Sequence, residues 1–376
     1  MESYDLICPC HFGLESVLKK EIVKLGYEIS RVEDGRVLFK GDREAVARAN
    51  IFLRTAERVL ICVGEFTAKT FDELFEGTKA LPWEEFIPKD GRFWVKKAAS
   101  VKSALFSPSD IQRIMKKAMV ERLKLRYGIS HFEESGNDYP LRVFLYKDRV
   151  TVALDTTGES LHKRGYRKKQ GTAPIAENLA AGLLMLTKWN KTIPLIDPFC
   201  GSGTIAIEAA LMAANMAPGA MRDFTAMDWS GIVDKKSWYR ALDEARSLST
   251  PIPKSEIQGY DIDPAMVRIS RENAERAEVL DFLHFQERDV KDLKSGHREG
   301  IVVTNPPYGE RMEENEELHE AYRSLGSAMR GLKGWEIYVI SSYEKGIGLL
   351  GKKPDKNRKI YNGMLKTYFY SFSMSR

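Results

Sequence analysis

The residues best suited to chemistry lie in Thr304-Asn305-Pro306-Pro307-Tyr308-Gly309-Glu310-Arg311, directly after the apolar run 301–304. An exocyclic amine conjugated to its ring is a poor nucleophile. Its nitrogen must become more tetrahedral before its lone pair can attack a methyl sulfonium. The side-chain oxygen of Asn305 and the carbonyl of Pro306 can each accept one N–H and favour that geometry. Tyr308 offers a ring face to a base, and stacking of this kind is worth roughly 1–3 kcal/mol. On that reading only the ring is needed, and phenylalanine should serve in its place. Pro306 and Pro307 stiffen the loop and keep the acceptors aligned. A proline-rich turn is in general a structural feature. Asn-Pro-Pro-Tyr after an apolar strand, with a glycine turn upstream, points to amine methylation.

That upstream turn is Leu195-Ile196-Asp197-Pro198-Phe199-Cys200-Gly201-Ser202-Gly203-Thr204-Ile205-Ala206. An apolar strand runs into glycines that open a helix. The glycines let the backbone approach a ligand, and the helix start offers free N–H groups. Gly201, Gly203 and Ala206 also fit a dinucleotide spacing, a weak signal alone. Two features argue against a nicotinamide cofactor. Asp197 would repel a pyrophosphate but could meet a cationic amino group. The next strand, ending Gly259-Tyr260-Asp261, comes about sixty residues later, where a compact dinucleotide unit has roughly twenty. Asp261 could accept from both hydroxyls of a ribose, with Asp263 the alternative. Asp289 could accept from an adenine amino group. A helix cap or turn is the structural alternative for each of these carboxylates, above all for Asp263 before Pro264. The pattern suggests S-adenosylmethionine, with contacts expected from Asp197, Pro198, Phe199, Cys200, Gly201, Gly203, Thr204, Asp261, Ile262, Asp289 and Asn305. Cys200 inside the turn is expected to pack near the cofactor rather than act as a nucleophile.

These loops need elements to carry them. After residue 170 the runs 192–196, 256–260, 283–287, 301–304 and 336–341 read as short strands. Helical patterns over 203–215, 264–276 and 316–332 lie between them. That alternation predicts a parallel sheet with helices on both faces. The end differs: 359–361 and 365–372 flank Asn362-Gly363, a hairpin signal. A parallel sheet with an antiparallel final strand resembles the α/β class I (Rossmann-like) methyltransferase fold. Residues 216–255, with Trp229 and Trp238, interrupt the alternation as an insertion. The first 160 residues read as smaller α+β units. Strands are expected at 4–8, 36–40, 60–66 and 92–98, with a hairpin over 142–154. Helices are expected from 14 to 25, over 43–59, and after Ser107-Pro108.

A chain of 376 residues exceeds one ordinary core and predicts two or three domains. No apolar run is long enough to span a bilayer, and the first residues do not read as a secretory signal. Four cysteines make no disulfide framework, so a reducing cytoplasm is expected. Cys8-Pro9-Cys10-His11 lacks a second pair at zinc spacing, so strand-end packing is expected and no metal. The net charge of +5 says little, but its distribution says more. Lys163, Arg164, Arg167, Lys168 and Lys169 form a run without an acid, and Lys352, Lys353, Lys356, Arg358 and Lys359 surround Asp355. Such runs suit phosphate contacts, with a solvated surface as the ordinary alternative. The first run is the expected RNA-binding segment.

The glycine turn together with Asn305-Pro306-Pro307-Tyr308-Gly309-Glu310-Arg311 resembles the THUMP-containing N2-guanine RNA methyltransferases, in particular their bacterial 23S rRNA branch (RlmL/YpsC-like). Leu161-His162-Lys163-Arg164-Gly165-Tyr166-Arg167, Ala173-Pro174-Ile175-Ala176-Glu177 and Asn362-Gly363 resemble the same family. The resemblance implies a ferredoxin-like element (1–45), a THUMP RNA-binding domain (46–160) and a methyltransferase domain (161–376). It also implies a cytoplasmic enzyme acting on guanine N2 in large-subunit rRNA. Some members carry a second methyltransferase module, and this chain ends at Arg376 without one, so only the first reaction carries over. N6-adenine methylation, methylation of a glutamine amide, and a non-catalytic RNA-binding ribosome-assembly factor are the competing readings. Intact Asp197, Gly201, Gly203, Asp261 and Asn305 speak against the last.

Overall fold

The computed structural model describes residues 3–168, 174–251, 256–308 and 316–375. Its N-terminal part is a mixed sheet of β1 (Tyr4–Pro9), β2 (Ile29–Glu33), β3 (Arg36–Gly41), β4 (Leu60–Thr67), β5 (Arg92–Val101), β6 (Asp138–Tyr146) and β7 (Arg149–Asp155). Helices α1 (Glu15–Lys24), α2 (Arg43–Phe52), α3 (Phe71–Ala80) and α4 (Pro108–Tyr127) pack with it. The strand order is β2-β3-β1-β4-β7-β6-β5. Because β4 pairs with both β1 and β7, the two small α+β units share one continuous sheet. The expected helix over 43–59 is shorter. It stops at Phe52 because the carboxylate of Glu21 accepts from the backbone N–H groups of Arg54 and Thr55 at 2.8 and 3.1 Å, drawing the chain out of the helix. Helix α3 went unread in the sequence, although Thr70 and Glu73 give it a reciprocal capping box.

The second sheet contains β8 (Leu195–Asp197), β9 (Ile257–Asp261), β10 (Leu283–Glu287), β11 (Ile301–Thr304), β12 (Glu336–Ser341), β13 (Lys356–Asn362) and β14 (Leu365–Ser373). Their order is β10-β9-β8-β11-β12-β14-β13. The first five strands are parallel, and β14 and β13 are antiparallel, as expected. Helices α5 (Glu177–Leu186), α6 (Thr204–Ala213) and α8 (Pro264–Arg276) cover one face, where Leu195, Ile301, Val303 and Ile340 point. Helices α9 (Glu316–Gly331) and α10 (Glu344–Leu349) cover the other, where Ile196, Val302 and Val339 point. Burial on both faces explains why these strands read as continuous apolar runs. Helix α5 escaped the sequence reading because its first eight residues are all buried and so carry no amphipathic period.

The insertion, with α7 (Lys235–Leu248), belongs spatially to the other half of the molecule. Trp229 and Trp238 are buried in the N-terminal core. Trp229 stacks on Tyr139 at 5.0 Å and donates its indole N–H to the Asp138 carbonyl. Arg48 of α2 forms a bidentate pair with Glu244 of α7, both contacts at 2.7 Å. The C-terminal half therefore grips the N-terminal sheet with a segment from the middle of its own sequence. A second clasp runs the other way: Leu14 and Val17 are buried in the core beside α5 and α6.

Candidate active site

Strand order reverses between β8 and β11, so the loops after these two strands flank a crevice at the carboxyl edge of the sheet. Both sharp sequence segments lie there. Gly201 and Gly203 adopt φ of +51° and +83°, a region in which any side chain is strained. A β-carbon on Gly203 would also sit 2.9 Å from Ser270 and 3.0 Å from Phe285, whereas one on Gly201 would meet open space. Gly203 is thus required for both its backbone conformation and its packing, and Gly201 for its backbone conformation.

Three carboxylates surround the turn in different states. Asp197 is 1% exposed and accepts from the hydroxyl of Thr304 at 2.7 Å and the N–H of Phe199 at 3.2 Å. Burial raises its pKa to about 7, the nearby charge of Asp261 acts in the same direction, and the two hydrogen bonds oppose it only in part. Asp261 ends β9 and accepts from the N–H of Gly201 at 2.9 Å and that of Asp263 at 3.0 Å. Burial raises its pKa as well. Asp263 caps α8 through the N–H of Ala265 at 2.8 Å. Of the two candidates after β9, Asp261 therefore faces the glycine turn and Asp263 serves its helix. Next to them Ile262, an apolar residue, is 70% exposed.

Asn305 follows β11 with a buried side-chain oxygen that has no hydrogen-bond partner among the described residues. An unpaired buried acceptor is costly, by about 1–3 kcal/mol, and its presence in a crevice signals a donor to come. Pro306 is buried. The carbonyl of Pro307 accepts from the hydroxyl of Tyr322 on α9 at 3.3 Å, which ties the loop to the sheet's flank. Tyr308 is half-buried.

The RMKL-like methyltransferase domain family matches residues 164–370. The chain belongs to this family. The RlmL ferredoxin-like and THUMP domain families match residues 5–60 and 68–155. The chain is 46% identical to YpsC of Bacillus subtilis (strain 168), provisionally named an RNA methyltransferase, over 99% of this chain and 96% of that protein. It is 34% identical to the ribosomal RNA large subunit methyltransferase K/L of Allochromatium vinosum over 97% of its own length, and spans about half, 51%, of that longer protein. The structure of SMU.472, provisionally named a methyltransferase and complexed with SAH, superposes with a TM-score of 0.94 at 39% identity, covering 100% of this chain and 99% of that one.

For a member of the RMKL-like family, the crevice offers a consistent set of acceptors beside an open turn. Asp197, Asp261, the Gly201 turn, exposed Ile262 and the Asn305 oxygen lie at or just beyond the carboxyl ends of β8, β9 and β11. They suit a ligand with a cation, a diol and an apolar ring system. Other expected contacts stand differently. Pro198 and Cys200 are buried, and burial lifts the Cys200 thiol well above its ordinary value, so it is no nucleophile. Phe199 packs against the core below the sheet. The hydroxyl of Thr204 faces the interior, accepting from Arg167 at 3.3 Å. Asp289 caps its own turn through the N–H of Lys291 and pairs with the Lys291 ammonium at 3.0 Å, the structural alternative foreseen for it.

The basic run needs correction. Arg164 is 4% exposed, its guanidinium lying 3.4 Å from Glu208 and donating to the carbonyls of Leu161 and Arg54. Arg167 pairs with Glu177 at 2.9 Å and donates to the Ile175 carbonyl. Neither is available to a phosphate. They hold the linker to α5 and α6, an assignment hidden because their acidic partners lie up to 44 residues away. Lys163 and Lys168 are exposed, and Lys169 lies outside the described residues, as do Gly309, Glu310 and Arg311. In the second run Arg358 donates to Gly13 and Ser16 of the N-terminal element. Among the described residues no His, Cys, Asp and Glu cluster could hold a metal, and no helix is long and apolar enough to cross a membrane.

Proposed function

We propose that this protein methylates the exocyclic N2 of a guanine in RNA, with large-subunit (23S) rRNA as the substrate, in the cytoplasm. The observation that carries the reading is the buried side-chain oxygen of Asn305 just beyond the carboxyl end of β11, which has no hydrogen-bond partner among the described residues. When bound, S-adenosylmethionine supplies an electrophilic methyl group on its sulfonium. Asp197 would hold its α-amino group, Asp261 its ribose hydroxyls, and Ile262 would cover an adenine face. The rest falls to the loop after β11. Asn305 accepts one N–H of the guanine amine and the Pro306 carbonyl accepts the other, which frees the nitrogen lone pair from the ring. Tyr322 keeps this loop in place through the Pro307 carbonyl. Tyr308 offers the stacking face, offsetting part of the cost of an unpaired or flipped base. No strong base is required, because the nitrogen's proton becomes acidic once the nitrogen is methylated and cationic.

The ribosomal RNA named in the K/L relative supports the substrate class, and the THUMP match supports an RNA rather than a protein amide. Exposed Lys163 and Lys168 lie on the linker between β7 and α5 and suit backbone phosphates. The test is methyl transfer to unmodified large-subunit rRNA followed by digestion to nucleosides. N2-methylguanosine is the expected product. N6-methyladenosine would move the protein to the adenine class, and no methylation by a folded, cofactor-binding protein would return it to the non-catalytic reading.

A further inference from the structure

Tyr308 does not stand alone. Its hydroxyl accepts from the side-chain amide of Asn362 at 3.4 Å, across 54 residues of chain. Asn362 was expected in the turn of the final hairpin. Instead it is the last residue of β13, paired with Leu365, and the two-residue turn is Gly363-Met364. This register puts the Asn362 amide, rather than a turn carbonyl, against the catalytic loop. β13 is the edge strand of its sheet, and its last residues, Ile360–Asn362, pair with a stretch of β14 that β12 does not reach, a two-stranded end that is by itself only marginally ordered.

The free edge of β13 is covered by the loop between β1 and α1. The N–H of Tyr361 donates to the Phe12 carbonyl at 3.2 Å, and the ring of His11 lies 3.0 Å from the Tyr361 carbonyl and 3.1 Å from Asn178. Phe12 meets Tyr361 edge-on at 5.6 Å. Gly13 admits the closest approach: a β-carbon there would lie 2.4 Å from the Lys359 carbonyl. All of these contacts with β13 but the Gly13 approach fall on Tyr361, the residue immediately before Asn362.

We propose that Asn362 is a positioning residue that orients the ring of Tyr308, and that the His11–Gly13 loop of the ferredoxin-like element holds Asn362 in register. The N-terminal element then acts on the reaction geometry as well as on RNA capture. The proposal rests on Tyr308 as the base-stacking residue, and on it the hydroxyl matters as well as the ring. Two measurements on the full chain test it. In the first, the protein is labelled with 3-fluorotyrosine and the fluorine resonance of Tyr308 is assigned with Tyr308→Phe. Asn362→Ala and His11→Ala should each shift or broaden that resonance. A resonance identical to that of the unsubstituted protein in Asn362→Ala overturns the proposal, whatever the substrate proves to be. In the second, kcat and KM for rRNA methylation are measured for Asn362→Ala, Tyr308→Phe and the double variant. Each single change should lower kcat roughly tenfold with S-adenosylhomocysteine affinity unchanged, and the double variant should be no worse than either. Multiplying effects would mean that the two side chains act separately and would overturn the proposal. Absence of methylation by the unsubstituted protein would refute the proposed function, while the fluorine resonance would still decide the role of Asn362.

Discussion

Acidification should weaken cofactor binding through Asp197. This carboxyl ends β8, is 1% exposed, and has a pKa raised to about 7, first by burial and then by the charge of Asp261. Only its ionised form attracts an α-ammonium group, so the apparent Kd scales as one plus ten to the power of the pKa minus the pH. With a pKa of about 7, that factor is about 11 at pH 6 and about 1.3 at pH 7.5, a loss of roughly eightfold, or about 1.2 kcal/mol. The ligand's amino group, with an ordinary pKa of about 7.7–8.0, stays mostly cationic across this window. The ligand-free chain carries the complementary signature. Asp197 ionises at its ordinary value when unfolded and keeps its proton when folded. Its burial therefore destabilises the fold progressively as pH rises from about 4 to about 7. The assay is calorimetric titration with S-adenosylhomocysteine at pH 6 and pH 7.5 at matched ionic strength, repeated in buffers of different ionisation enthalpy to count released protons. Asp197→Asn should bind weakly and with a flatter pH response, leaving whatever part belongs to Asp261, whose pKa is also raised. Equal affinity at the two pH values, or an unchanged slope in Asp197→Asn, would refute the assignment of Asp197 to the amino group.

Asn305→Ala should cut the single-turnover methylation rate by roughly a hundredfold or more while cofactor affinity stays within about twofold. Because the Asn305 oxygen has no partner among the described residues, the variant's melting temperature should not fall; full activity would refute the mechanism. Glu208→Ala would strand the buried guanidinium of Arg164 and remove the partner of the Tyr166 hydroxyl, costing about 3–5 kcal/mol, readable by chemical denaturation. A loss below about 1 kcal/mol would show that the linker is not held by this pair. Replacing Lys163 and Lys168 with alanine should flatten the log–log salt slope of RNA binding by at most about 1.4–1.8, two contacts at roughly 0.7–0.9 each, with filter binding as the measurement. An unchanged slope would make both a solvated surface.

Much of the catalytic half was legible because its determinants are local. A run such as Leu195-Ile196 buries both faces of a strand, Gly201 and Gly203 supply backbone conformations that other residues resist, and Pro306-Pro307 fixes the loop after β11. Each of these is decided by residues within a few positions of one another, so composition and spacing reveal them. The antiparallel last strands were readable for the same reason, although the turn lies one residue later than its Asn-Gly signal suggested.

What tertiary structure alone decided are the pairings between distant segments. Of Asp261 and Asp263, only the folded sheet shows which meets the glycine turn, because the choice is made by the register of β9 against β8. The charges of Arg164 and Arg167 look like an RNA-binding run until the linker folds onto α6 and α5, where Glu208 and Glu177 wait in the interior. Trp229 reads as part of an insertion in the catalytic half and turns out to fill the N-terminal core. In each case the outcome depends on which partner excludes water from a charge or an apolar ring. The sequence by itself determined the elements and the chemistry they carry. Desolvation across the assembled sheets decided which of those groups are left to meet a ligand.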